Sequence, residues 1–340
     1  MVSQFEPPIV YVNGDVSYDK PIVNDEVDPN LIADRVIINT ANTQLGITMT
    51  RKIFQFGQSY NDNYIISEYT FKNSGNVDAD PEIELPNTTL TGVYFYYLFR
   101  NAICANTRYA IGNATGWGMN TMNDTRGDGV VNDPPDENFR AQFSWHGKYL
   151  QATMFDNIGG PIWNQAINVE PEDTVGRLGA SQFAGVVTLH ADVSATNNSD
   201  DISQPRTTSW ESSDDPLTTN NDPYNIAKMT AEYEWMSKGH KSPRHAYQVE
   251  PSGLPGFLQP TNDPALGQSG GFSFTNGYGP YTLAPGDSIK IVFAEAVAGI
   301  NREFATTTGI QYKQGQINAC LLYTSPSPQD RTRSRMPSSA

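Results

Sequence analysis

The sharpest candidate for chemistry in this 340-residue chain is the run Asn123–Glu137, NDTRGDGVVNDPPDE. Oxygen-bearing side chains at alternating positions around a glycine are what a hard cation needs, because Ca²⁺ takes six to eight oxygen ligands and the glycine permits the sharp turn. Asp124, Asp128, Asn132 and Asp136 are the expected ligands. Two residues depart from the pattern: Arg126 stands at a ligand position, and Pro135 falls where the last carboxylate should be, leaving Asp136 one residue late. A calcium loop and a plain acidic surface turn are both open readings. The same run spells Arg126-Gly127-Asp128, an adhesion-receptor tripeptide too short to carry weight alone.

Other residue types offer less. His146, His190, His240 and His245 have no zinc-site spacing. Cys104 has no basic cluster or paired cysteine beside it and reads as a buried structural thiol. Glycosidases need two carboxylates at a set separation; Asp214 with Asp215, or Glu232 with Glu234, are such pairs on paper. The latter pair reads as the polar side of an amphipathic strand. Trp117, flanked by glycines, and Trp210, in a polar segment, are the indoles best placed to stack on a sugar ring. There is no glycine-rich phosphate loop or dinucleotide fingerprint, and the sequence identifies no reaction.

The chain holds 37 acidic and 22 basic residues, a formal net charge of −15. No run of four basic residues occurs, so nucleic acid is not an expected partner. The 28 Gly and 23 Pro, with a mean hydropathy of −0.48, describe a polar, turn-rich chain of extracellular type. No apolar run is long enough to span a bilayer, and the N-terminus lacks the basic and apolar regions of a signal peptide.

The elements that must position these residues read as strands almost throughout. Gly46–Phe56 and Tyr64–Lys72 form a hairpin across the turn-rich Gln58–Asn63. Val93–Phe99 (VYFYYLF) is apolar on both alternating faces, so it must be covered on both, as the central strand of a two-layer structure. Further strands are expected at Phe139–Trp145, Tyr149–Phe155, Phe183–Ala191, Met229–Met236 and Ser288–Val297, with polar loops at Thr196–Asn225 and Pro251–Gly271. Asn301–Tyr312 alone reads as helix, with Asn301 as cap.

Three blocks resemble a family of large exported bacterial proteins that carry a type IX secretion sorting domain. They are Leu45–Asn76 (LGITMTRKIFQFGQSYNDNYIISEYTFKNSGN), Thr230–Ser237 (TAEYEWMS) and Gly279–Gly299 (GPYTLAPGDSIKIVFAEAVAG). In the last, Pro285-Gly286 is a type II turn with Gly where φ is positive, and Asp287 and Ser288 bond the turn backbone. The resemblance implies a β-sandwich scaffold and export to the cell surface or medium, and no chemistry. Residues 320–340, beginning CLLYTSPSPQD, closely resemble a translated sequencing adapter read through into a metagenomic contig. The natural chain is therefore expected to continue past Ala319, and Cys320 to leave with the tail.

Together these observations predict an all-β protein. Residues 1–319 form a β-sandwich region of mainly antiparallel strands with long polar loops and one short helix near the C-terminus, divisible at about residues 1–165 and 166–319; residues 320–340 are a non-native tail. The expected function is that of a non-enzymatic structural or adhesive segment of a larger secreted or cell-surface bacterial protein. The alternatives are a carbohydrate-binding or accessory module of a secreted polysaccharide-degrading enzyme, or a hydrolase in its own right. Calcium is the one cofactor indicated. Polysaccharide or other envelope proteins are the expected partners.

Overall fold

The computed structural model describes residues 1–5, 11–16, 26–101, 121–127, 139–146, 182–211, 224–242, 244–245 and 273–317. Fifteen strands are present among them: β1 (Val2–Ser3), β2 (Tyr11–Val12), β3 (Asp15–Val16), β4 (Glu26–Val27), β5 (Arg35–Asn42), β6 (Ile47–Gln55), β7 (Tyr64–Asn73), β8 (Leu90–Phe99), β9 (Thr121–Arg126), β10 (Ala141–His146), β11 (Gln182–Ser194), β12 (Asn197–Asp200), β13 (Thr207–Glu211), β14 (Ser273–Leu283) and β15 (Ser288–Gly299). Two helices accompany them, α1 (Ile226–Met236) and α2 (Arg302–Lys313).

The strands form two facing sheets of unequal width and a separate two-stranded ribbon, β2 with β3. The larger runs β4-β1-β5-β6-β7-β15-β11-β10-β9, with β12 on β11, and the smaller runs β13-β14-β8. Apart from β1 with β4, every pairing is antiparallel. The predicted all-β class holds, and so does the β6–β7 hairpin, closed by Asn61 N–H donating to Gln58 O at 2.8 Å.

Register decides which side chains meet. Pairing of β6, β7 and β15 puts Met49, Phe71 and Ile289 in one row and Arg51, Tyr69 and Ile291 in the next. Against these rows β8 turns Phe95, Tyr97 and Phe99. Phe71 stacks on Phe95 with centroids 3.8 Å apart, and Phe293 meets Tyr97 edge-on at 5.1 Å. Tyr278 of β14 meets Tyr97 at 5.8 Å and shares a 2.8 Å hydrogen bond with the Thr188 hydroxyl. This is the alternation of a two-sheet sandwich, with inward aromatics filling the gap.

Several expectations change. β8 is covered on both faces, as its composition requires, yet it ends the described order of the smaller sheet; β14 is central. Its outer cover is α1: Tyr233 lies edge-on to Tyr94 at 6.0 Å, and Trp235 Nε1 donates to the Tyr96 hydroxyl at 2.9 Å. Met229–Met236, read as a strand, is therefore helix. The alternation of Glu232, Tyr233, Glu234 and Trp235 mimics a strand over four residues. Ala227, Lys228, Met229 and Ala231 favour helix, and Asn225 caps it by accepting from Lys228 N–H at 3.1 Å. The polar segment Thr196–Asn225 contains β12 and β13, because its Thr and Ser side chains suit a pleated surface whose partners are also polar. The helix after Asn301 forms as expected, with Asn301 Oδ1 accepting from Phe304 N–H at 2.8 Å.

The Pro285-Gly286 turn and its Asp287 bond are built as read. Gly286 has φ 87°, and Asp287 Oδ2 accepts from Ala284 N–H at 2.9 Å. Asn73, 2% exposed, ties this turn to β7: its side-chain amide donates to Leu283 O and Thr88 O, and its carbonyl accepts from Gly286 N–H. The strand expected at Tyr149–Phe155 and the tail after Ile317 lie outside the described residues.

Truncating Phe95 empties the middle of the aromatic seam. Phe95→Ala is expected to lower unfolding stability by about 3–5 kcal/mol in urea titration, and a loss under about 1 kcal/mol would show that the seam does not hold the sheets together.

Candidate functional site

Asp124 was expected to open a cation loop, and the structure places it within β9, paired with Phe143 of β10. Its carboxylate is nearly buried, with Oδ2 2.9 Å from Arg126 Nη1 and Oδ1 3.1 Å from Arg244 Nε. Thr125 N–H also donates to Oδ1 at 2.9 Å. Arg126, which interrupts the calcium pattern in the sequence, is thus a partner of the first predicted ligand. Asp128, Asn132 and Asp136 lie outside the described residues, as do Trp117, Cys104, Cys320, Asp214 and Asp215.

Beside Asp124 the interior is polar. Asn123 N–H donates to His245 Nδ1 at 3.0 Å, and the Ser144 hydroxyl donates to Asn123 Oδ1 at 2.7 Å. Gln142 reaches across to the smaller sheet, donating to Thr275 O at 2.9 Å and to Asn276 Oδ1. His245 is 1% exposed. Burial, with the Lys241 charge close by, pushes its pKa down to about 3. It is therefore neutral at pH 7, and because Nδ1 accepts, the proton sits on Nε2.

Trp210, the expected stacking platform, belongs to β13 and is only partly exposed. The Lys241 ammonium lies 3.7 Å from its ring centroid and donates to its carbonyl at 2.8 Å, while the His245 ring packs 4.8 Å away. Its indole serves as a seat for the segment bearing Lys241 and His245. Glu232 and Glu234 do not share a strand face. Two residues apart on α1, they diverge by about 200° around the axis.

A second charged network pins the bulged strand β11. Arg140, at φ 40°, places Nη1 and Nη2 3.1 and 2.9 Å from the two Asp200 oxygens, and also donates to Asp201 O. Asp200 Oδ1 accepts from Ala191 N–H at 3.0 Å. The register of β11 on β15 slips between Thr188 and His190. Beyond the slip Asp192 accepts from His190 Nε2 at 2.7 Å and from Lys290 N–H at 2.7 Å, holding the amide next to the last paired position, Ala191 with Ile291.

Among the described residues, those best arranged for a hard cation were not singled out from the sequence. Asp78, Asp80 and Glu84, all exposed, bring one oxygen each within 4.8 Å of one another in the loop after β7. Their order is set by successive Asx turns: Asn76, Asp78 and Asp80 each accept from the backbone N–H two residues on, at 3.0, 2.9 and 2.8 Å, and Glu84 accepts from Val77 N–H at 2.9 Å. These bonds account for the arrangement without an ion. The Asn-x-Asp-x-Asp spacing of Asn76, Asp78 and Asp80 was the available signal. Gly75 starts the loop at φ 74°, where an added Cβ would stand 2.6 Å from Leu85 O, so no larger residue fits.

No protein-family model matches the chain, and no curated protein matches it.

Two consequences can be measured. Asp200→Ala strands the buried Arg140 guanidinium and is expected to cost about 3–5 kcal/mol in unfolding stability, with Asp200→Asn losing less; equal stability of all three proteins would show that the pair does not hold β11. His245 binds a proton in the unfolded chain near pH 6.5 but in the folded chain only near 3. Its contribution is therefore complete above about pH 6.5 and lost progressively toward pH 3. The urea midpoint is expected to fall between pH 6.5 and 4, and His245→Gln, which accepts without titrating, is expected to flatten that slope.

Proposed function

We propose that this chain is a non-enzymatic structural or adhesive β-sandwich segment of a larger secreted or cell-surface bacterial protein. The observation that carries the reading is how its buried charges are used. Asp124 with Arg126 and Arg244, Arg140 with Asp200, and Asp192 with His190 and the Lys290 amide each tie one strand or segment to another. Charges committed in this way have scaffold work to do, and a group held by two partners is poorly poised to exchange protons with a substrate.

Support for export comes from the three sequence blocks that resemble large proteins sorted by type IX secretion. Two of them fall on the β6–β7 hairpin and the β14–β15 turn, which frame the aromatic seam. The net charge of −15 suits a surface in contact with salt and argues against a polyanionic partner. No described helix is long and apolar enough to cross a membrane. Envelope proteins and polysaccharide are the partners this reading expects. Sugar stacking draws no support from Trp210, whose ring is already occupied by Lys241.

The test is location and turnover together. Antibody raised against the chain is expected to label intact, unpermeabilised cells of the encoding bacterium, and the purified chain is expected to release no reducing ends from polysaccharides it retains. Labelling only after permeabilisation, or release of reducing sugar, would overturn the proposal.

A further inference from the structure

Among the described residues β13 ends the order of the smaller sheet and β9 ends that of the larger. A short segment that follows α1 takes up backbone groups of both. On β13, Lys241 N–H donates to Thr208 O and the Lys241 ammonium to Trp210 O, each at 2.8 Å. The Thr207 hydroxyl accepts from Gly239 N–H at 3.3 Å, and the Thr208 hydroxyl shares a 2.9 Å hydrogen bond with His240 Nδ1. On β9, Asn123 N–H donates to His245 Nδ1 at 3.0 Å, Arg244 Nη1 donates to Thr125 O, and Arg244 Nε lies 3.1 Å from Asp124 Oδ1. Residues 239–241 and 244–245 therefore act as a strap with one end on each sheet.

The alternation of the strands explains which groups the strap finds. Backbone groups of an antiparallel strand point to its two sides in turn. Thr208 and Trp210 turn theirs away from β14, and Asn123 and Thr125 turn theirs away from β10. A strand edge left with such groups is a template for another chain, and covering it with a further segment is one way a fold prevents this.

One contact of the strap depends on a proton. His245 accepts through Nδ1, so a second proton would remove the lone pair that Asn123 N–H uses and set two N–H groups face to face. It would also place a positive charge on a ring 1% exposed, in the company of Lys241 and Arg244 on the strap itself. β9 brings Asp124 and Arg126 to this corner, and Asp124 is already shared between Arg126 and Arg244. β13 meets the imidazole with the Trp210 ring.

We infer that the strap is an acid-released latch: at neutral pH it seals the edges of β9 and β13, and in acid a proton taken by the freed His245 holds it open while the aromatic seam keeps the two sheets together. The freed imidazole protonates near its ordinary 6.5, the strapped one only near 3. Falling pH therefore favours the open form, about tenfold per unit below 6.5 and on the order of a hundredfold between pH 7 and 4. Opening presents the outward backbone groups of Asn123, Thr125, Thr208 and Trp210, and uncovers the Trp210 indole from Lys241.

The test is amide hydrogen exchange of the whole chain, followed by NMR from pH 7 to 4 and read as protection factors so that the intrinsic pH dependence of exchange is removed. Asn123, Gly239 and Lys241 report the strap; Tyr69 and Ile291, on strands paired along both sides, report the seam. Strap protection is expected to fall on the order of a hundredfold over this range and to lie below seam protection at every pH. His245→Gln is expected to keep the strap closed with protection that no longer varies with pH. Asp124→Asn is expected to lower strap protection at every pH and to leave its slope. Equal protection of strap and seam amides would mean that only whole-molecule unfolding frees the segment. A flat profile in the unaltered chain, or a slope that survives His245→Gln, would remove the histidine as trigger, and a slope lost in Asp124→Asn would give that role to the aspartate; each of these results overturns the inference.

Discussion

The stacking of Phe71 on Phe95 at 3.8 Å, and the seam of rings continuing from it through Tyr97, Phe293 and Phe99, sets the rest of the molecule. It is the place where the two sheets meet, and its length is fixed by the narrower one. Three described strands cannot cover ten. β7, β15 and β11 are roofed, while β5 projects past the roof with Ile37 nearly half exposed on what would otherwise be the core face. Burying tyrosines in this seam raises their hydroxyl pKa values. Tyr97 is pushed well above the ordinary phenol and Tyr278 up to about 12, so both remain neutral and contribute as apolar surface with a polar tip.

At the other end of the same interior the chemistry changes. Under β10 and β9 the space between the sheets is filled by Gln142, Ser144, Asn123 and Asn276, with His245 and Arg244 entering from a separate segment. A core of this kind is specified by hydrogen-bond geometry, because each buried polar group without its partner would cost more than an apolar substitute. The histidine, the arginines and the aspartate that look reactive in isolation are the members of that network. The structural reading of the protein grows from this fact, since the polar end fixes strand order where the aromatic seam does not reach.

Legibility in the sequence followed the range of the interaction. The β6–β7 hairpin, the Pro285-Gly286 turn, the Asn301 cap and the strands at β11 and β15 rest on neighbours in the chain, and they were readable. The Met229–Met236 segment was not, because alternation over four residues is shared by a strand and by a helix seen briefly; its Asn225 cap was the deciding residue. Asp124 looked like a cation ligand because nothing in its own segment shows that Arg244, 120 residues later, will close on it. Trp210 looked presentable because its loop is polar, whereas the Lys241 that covers it arrives from beyond α1.

Composition and pattern determined by themselves that this is an acidic, turn-rich, all-β chain with aromatic strands to bury, because alternation, turn residues and net charge are local or additive properties. Only the tertiary structure decided which carboxylates are spent and which stay available. Asp124 and Asp192 are consumed by partners distant in sequence, while Asp78, Asp80 and Glu84 are held outward by their own Asx turns. Only the tertiary structure decided, too, that β5 runs past the narrower sheet. That depends on the relative widths of the two sheets, which no single segment encodes.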